Sequence, residues 1–301
     1  MKAIVIRAYG GPEELKFEER PDPVHGPGEV LVRVAATSVN PFDWKIRSGA
    51  FKDIIPLIFP AILGVDVAGI VEAVGPGVQN FAPGDSVFGQ ATQTYASLCV
   101  VKAADLAKIP SRIDVIEIAA LPTVTTTGAQ LAELATRGRQ RGTVLVTGAV
   151  GNVGRSAVFT AKESGWSVIA GVRNKQMQEA KATGADRVIA LDDQASLKSL
   201  EPVDAIADTI SGSIADQLIG KVKNGGMFAS VLAPPSNAAH PDVRVETMQV
   251  KPAPATLVSM AEAVRTGKLV IPLGQRYPLS DASKAHGAAE KGAAGKLLLL
   301  S

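Results

Sequence analysis

Only one cysteine, Cys99, occurs in 301 residues, so the chain can form no internal disulfide and no cysteine-based zinc cluster. Histidine is nearly as scarce: His25, His240 and His286 have no mutual spacing that marks a metal site or a catalytic pair. Net charge is small, 31 Lys and Arg against 29 Asp and Glu with no basic block, so neither nucleic acid nor an anionic membrane is expected as a partner. No apolar run reaches the ~20 residues of a membrane-spanning helix. The longest, Ile54 to Val65, is broken by Pro56 and Pro60. The opening Met1-Lys2-Ala3-Ile4-Val5-Ile6 is too short for the apolar core of a signal peptide. A lone thiol suits a reducing compartment, so a cytoplasmic protein is expected. Cys99 itself, in Leu98-Cys99-Val100-Val101, reads as a buried strand residue.

What is present suffices for a large core. The chain is 46% hydrophobic and 20% charged, and its length suits two domains. Gly and Pro punctuate the first third at short intervals (Gly10-Gly11-Pro12, Gly26-Pro27-Gly28, Gly75-Pro76-Gly77, Pro83-Gly84-Asp85). Between them lie short β-branched runs such as Val30 to Val34, which predict an all-β unit. From about Ile113 the texture is helical, and then strands alternate with helices. Strands are predicted at Thr143–Thr147, Ser167–Ala170, Arg187–Ala190, Ala205–Asp208 and Met227–Val231. Helices are predicted at Val153–Ser164, Gln176–Thr183 and Ile214–Val222. This alternation builds a parallel, doubly wound sheet. In the tail, helices are predicted at Thr256–Thr266 and at Asp281–Glu290, the latter capped by Ser280, and strands near Leu269–Pro272 and at Lys296–Leu300.

Chemistry concentrates in Thr147-Gly148-Ala149-Val150-Gly151-Asn152-Val153-Gly154-Arg155, which follows a predicted strand and opens a predicted helix. Small residues let the backbone approach a phosphate, and a helix N-terminus presents unpaired N–H groups to it. The G-x-G-x-x-G spacing is met with Ala149 in the first place, then Gly151 and Gly154. A tight turn would look similar, but the strand–turn–helix setting points to a dinucleotide. An NAD site usually places an acid about 20 residues further on. From Ser164 to Gln178 this chain has none; Gly171-Val172-Arg173-Asn174-Lys175 offers two cations instead. The cofactor expected is NADP(H), although a solvated loop would carry the same cations.

Taken together with Gly10-Gly11-Pro12-Glu13, Gly28 to Val34, Ser38 to Gly49, Gly64 to Gly69, Gly84 to Phe88, Tyr277-Pro278-Leu279, Ala285-His286 and Gly295-Lys296, the glycine loop makes a pattern that runs from end to end. In order and spacing it resembles the medium-chain dehydrogenase/reductase superfamily, in its zinc-free quinone oxidoreductase (zeta-crystallin-like) branch. The resemblance implies an α/β chain: a GroES-like β-barrel catalytic domain over residues 1–117, completed by 257–301, and a Rossmann domain over 118–256, with the active site in the cleft. It also implies a homodimer joined through an outer strand of the nucleotide-binding sheet, with Met227–Val231 and Val243–Val250 as the candidates. Zinc-dependent relatives place a Cys near Pro41 and a His–Glu pair where this chain has Val65-Asp66, and usually a four-Cys lobe after Val87. None of these is present, so no metal is expected.

The resemblance assigns candidate roles. Asn40 would donate to a substrate carbonyl, or only shape the turn before Pro41. Lys45 would polarise the carbonyl or steer a phosphate, or pair with Asp43 at the surface. Thr127 would face the nicotinamide, or bond back to its own helix. Tyr95 would line the substrate pocket, or pack; His286 reads as structural. The implied reaction is hydride transfer from NADPH to a quinone or an α,β-unsaturated carbonyl, an acceptor whose conjugation supplies the electrophile. An enoyl-thioester reductase and a non-catalytic NADPH-binding module are the alternatives on the same fold.

Overall fold

The turn-rich first third folds into short strands, as its punctuation requires. In the computed structural model, which describes residues 1–301, these are β1 (Lys2–Ile6), β2 (Lys16–Glu19), β3 (Glu29–Ser38), β4 (Ala61–Ile62), β5 (Asp66–Val74), β6 (Ser86–Gln90), β7 (Leu98–Lys102) and β8 (Leu106–Lys108), with one helix, α1 (Pro41–Arg47), among them. The alternating part follows: α2 (Pro122–Thr136), β9 (Thr143–Thr147), α3 (Asn152–Glu163), β10 (Ser167–Val172), α4 (Met177–Ala180), β11 (Arg187–Ala190), α5 (Gln194–Ser199), β12 (Val203–Asp208), α6 (Gly212–Leu218), β13 (Val222–Ser230) and β14 (Arg244–Thr247). The tail holds α7 (Pro254–Arg265), β15 (Leu273–Pro278), α8 (Ala282–Glu290) and β16 (Lys296–Leu300). No helix is long and apolar enough to cross a membrane.

The chain divides into two units: Met1–Thr123 with Pro252–Arg265 and Ile271–Ser301, and Val124–Lys251 with Thr266–Val270. In the first, a sheet ordered β15-β16-β3-β5-β6-β8 also takes β7 against β3, and β2-β1-β4 form a small second sheet. Alternate residues of β3, Val30, Val32 and Val34, point into a core with Val67, Val87, Cys99 and Val101. Burial pushes the Cys99 thiol up to about 12, so it is an inert core side chain. Gly69 allows β5 to press on β3 at a register shift: a Cβ there would lie 2.1 Å from the Arg33 carbonyl oxygen. The final strand pairs antiparallel with the end of β3, Leu298 opposite Ser38 and Leu300 opposite Ala36. The last strand and the end of β3 therefore lie side by side just before Asn40.

The second unit is a parallel sheet ordered β11-β10-β9-β12-β13-β14, covered by helices on both faces. Strands buried on both sides read as continuous apolar runs. Accordingly Val144, Val146, Ala205, Ala207, Met227 and Ala229 pack with Leu131, Val158 and Trp166, while Leu145, Ile206 and Phe228 pack with Leu197, Leu200 and Leu218. In order of occurrence the strands run 3-2-1-4-5-6, so the order reverses between β9 and β12, where such sheets bind their ligands. Three local expectations are corrected. The helix over Gln176–Thr183 is a chain of short pieces, with 3-10 turns at Asn174–Gln176 and Lys181–Thr183 around α4, stopped by Gly184 at φ 83°. The strand expected at Leu269–Pro272 lies at β15, where pairing with β16 begins. Asp281, not Ser280, is the N-cap residue of α8.

Candidate functional site

The loop after β9 turns its carbonyl oxygens inward. The Gly148 carbonyl accepts from Gly151 N–H at 2.9 Å, and that of Gly151 from Arg155 N–H at 2.8 Å. No side chain caps α3, so its first N–H groups, from Asn152 onward, stay open to an anion. Two glycines are required here. A Cβ on Gly154 would lie 2.2 Å from the Gly148 oxygen, and one on Gly128 would lie 2.4 Å from the Val153 oxygen. The second contact sets α2 against the first turn of α3. Thr126 Oγ1 is buried without a hydrogen-bond partner, and Thr127 is 7% exposed. The uncapped helix start itself fits an anionic ligand. Ala149 is fully buried beneath the loop, in the sheet core.

Asp208 is a site residue that the sequence reading missed. Fully buried at the end of β12, it accepts from Thr147 Oγ1 at 2.7 Å and from Ser230 Oγ at 2.8 Å, tying together the ends of β9, β12 and β13. It also accepts from Ser211 N–H at 3.2 Å, holding that residue at φ 59°. A strained residue fixed by a buried carboxylate marks the sheet's switch point.

Beyond β10, Arg173, Asn174 and Lys175 are exposed, and neither cation is engaged by an acid. The strand carries no carboxylate, yet Asp192, beyond β11, reaches this loop and accepts from Asn174 N–H at 2.7 Å. Only the pairing of β10 with β11 brings it there.

In the first unit the structure gathers a buried polar cluster. Pro41 starts α1, and the turn is closed by Asn40 N–H donating to Asp43 Oδ2 at 2.8 Å. Both ends of the Asn40 amide are committed: Nδ2 donates to Asp66 at 2.8 Å, and Oδ1 accepts from Lys296, whose ammonium also donates to the Val39 carbonyl at 3.1 Å. Asp66 takes in addition Ser38 Oγ, Thr123 N–H (2.8 Å) and Thr123 Oγ1 (2.6 Å). Asn40 thus presents no free donor. Lys45, half-buried, does not pair with Asp43; its ammonium lies 5.7 Å from the centre of the Phe51 ring. Tyr95 lines no pocket. It is fully buried and part of a directed chain. Arginine only donates, so Arg47 donates to His286 Nδ1 (2.9 Å), His286 Nε2–H to the Tyr95 oxygen (3.0 Å), and Tyr95 O–H to Asp43 (2.9 Å). Arg47 also pairs with Glu290.

Burial decides the titration of this chain. It raises Asp43 to about 7, and the Asp66 charge adds to it against the Asn40 and Tyr95 hydrogen bonds. Burial and Arg47 together lower His286 to about 3. Burial raises Tyr95 and lowers Lys296 as well. An aspartate raised above its unfolded value of about 3.9 contributes stability that is complete below that pH and lost as pH rises through the folded value. His286 runs the other way: its contribution is complete above about 6.5 and is lost as pH falls toward its folded value. Asp43→Asn removes the first dependence alone. Its melting temperature should therefore gain on wild type between pH about 4 and about 7, by several degrees. Melting curves across that range check this; a constant difference would contradict the buried, raised carboxyl.

The residues do not fit a zinc ion. Val65 offers no ligand atom, the Asp66 oxygens are occupied by hydrogen-bond donors, and no three His, Cys, Asp or Glu side chains converge.

Residues 26–113 match the alcohol dehydrogenase GroES-like domain, and residues 183–299 the zinc-binding dehydrogenase family. The chain is 30% identical to a chloroplast envelope quinone oxidoreductase homolog of Arabidopsis thaliana, over 99% of this chain and 98% of that one. Among solved structures, the quinone oxidoreductase of Coxiella burnetii superposes with a TM-score of 0.88 at 28% identity, covering 100% of this chain and 99% of the other. A mycobacterial protein solved in complex with NADPH gives 0.85 at 27% identity, over 100% of both. With its GroES-like domain, its Rossmann sheet and these relatives, the chain belongs to the medium-chain dehydrogenase/reductase superfamily, among the quinone oxidoreductases, and is an oxidoreductase.

Proposed function

We propose that the protein is an NADPH-dependent, metal-independent reductase that transfers hydride to a quinone or an α,β-unsaturated carbonyl. The observation that carries this reading is the uncapped start of α3 followed, beyond β10, by two cations free of acids. Bound NADPH would supply the hydride, and solvent the proton that completes the two-electron reduction. The open N–H groups of Asn152 and Val153 would bind the pyrophosphate, with Gly151 and Gly154 giving it room. Arg173 and Lys175 would take the 2′-phosphate, and Thr127 would orient the nicotinamide. Lys45 is the group we assign to the acceptor's oxygen. Asn40, with its amide committed, is a positioning residue that fixes the start of α1. A homodimer would form through the open edge of β14, whose unpaired backbone groups invite another strand. The reading places the enzyme in the cytoplasm.

Arg173→Ala should weaken NADPH binding about tenfold to 100-fold, the worth of one charge-assisted hydrogen bond, and leave NADH binding nearly unchanged. Titration calorimetry with both cofactors checks this, and equal losses would remove Arg173 from the 2′-phosphate site. The reaction itself is tested by following NADPH oxidation with a simple quinone, an enone and an enoyl-CoA thioester. Consumption of the quinone or enone supports the proposal. Preference for the thioester would favour an enoyl-thioester reductase, and oxidation by none would leave a cofactor-binding module.

A further inference from the structure

One side chain holds the glycine loop to the loop that follows the next strand. Arg155, in the first turn of α3, is 8% exposed. Its Nε donates to the Val150 carbonyl at 2.9 Å, and its Nη2 donates to Glu179 Oε1 at 2.6 Å. Glu179 lies in α4, directly after the 3-10 turn Asn174–Gln176 that carries Lys175. Neither partner is visible from the glycine spacing, and the two loops are otherwise separate in sequence.

An anion at a helix start needs outward N–H groups and no carbonyl lone pair aimed at it. In this loop the Gly148 and Gly151 carbonyls are turned in by backbone partners, and the Val150 carbonyl is turned in by Arg155 alone. The planar guanidinium suits this double task, because one edge takes the carbonyl and the other the carboxylate. Without it, the Val150 oxygen would be free to rotate toward the bound anion, and the 173–176 turn would lose its tie to the glycine loop.

We propose that Arg155 is a positioning residue for the dinucleotide: it keeps the Val150 carbonyl off the anion-binding face and, through Glu179, sets the 2′-phosphate loop at a fixed place beside the pyrophosphate loop. This rests on the NADPH reading above. Arg155→Met should therefore weaken NADH about tenfold, through the pyrophosphate that both cofactors share, and NADPH by more, because the tie through Glu179 is lost as well. Glu179→Gln should instead lower the NADPH-to-NADH affinity ratio, about threefold or more, since only NADPH uses the second loop. Calorimetric titrations of wild type and both variants, with melting temperatures taken without cofactor, read these effects. Wild type that binds neither cofactor would overturn the NADPH reading itself. Wild type that binds, with folded Arg155→Met binding each cofactor as tightly as wild type does, would overturn this inference alone. If Arg155→Met does not fold, Glu179→Gln decides: a lowered ratio supports the coupling, and an unchanged ratio contradicts it.

Discussion

A buried carboxyl group must be matched by hydrogen-bond donors, and Asp66 is where this structure meets that demand. Ser38 and Asn40 come from the end of β3 and the turn after it, Thr123 from the first turn of α2, and Lys296 from the last strand, 3.9 Å away. Breaking such a pair by removing one partner costs about 3–5 kcal/mol, because the other charge is left buried alone. The cluster therefore fixes which strands meet. It explains why a segment nearly 300 residues from the start returns to pair with β3, and why Asn40 has no donor to spare. Its neighbour Asp43, raised by burial, completes a directed chain that ends at Arg47 and Glu290.

The nucleotide-binding unit meets the same demand with different residues. Asp208 binds the ends of three strands at the point where the sheet order reverses. Arg155 binds a loop carbonyl that would otherwise face an anion. In both units, buried charged side chains are committed to hydrogen bonds that hold neighbouring segments together. The groups we assign to cofactor and acceptor are backbone N–H groups, Thr127 and the cations Lys45, Arg173 and Lys175, which suits a reaction in which cofactor and acceptor bring the reactive atoms.

Much of this was legible in the sequence because it is local. The β9–loop–α3 unit has its strand, its glycine spacing and its helix within about 20 residues, and β11 and β16 fall on the residues that periodicity marks. Helix α1 was hidden, since seven residues between Asn40 and Ser48 give periodicity too little length, although Pro41 at its first position is a start signal. Asp192 was missed because it enters the second loop from a neighbouring strand. The roles of Asn40 and Tyr95 were the least legible. An amide or a phenol reads as available until its partners are known, and Lys296 and His286 lie 256 and 191 residues away. Arg173 was singled out by the absence of acids along its own strand, a reading that took no account of Asp192 entering from the next one.

The central proposal is hydride reduction without a metal: Val65 offers no ligand atom, the Asp66 oxygens are occupied by hydrogen-bond donors, and no three His, Cys, Asp or Glu side chains converge. The most direct measurement is elemental analysis of the purified protein, paired with NADPH–quinone turnover before and after exhaustive EDTA treatment. The account predicts no stoichiometric zinc and unchanged turnover. Zinc near one ion per chain, with turnover lost to EDTA and restored by zinc, would contradict it.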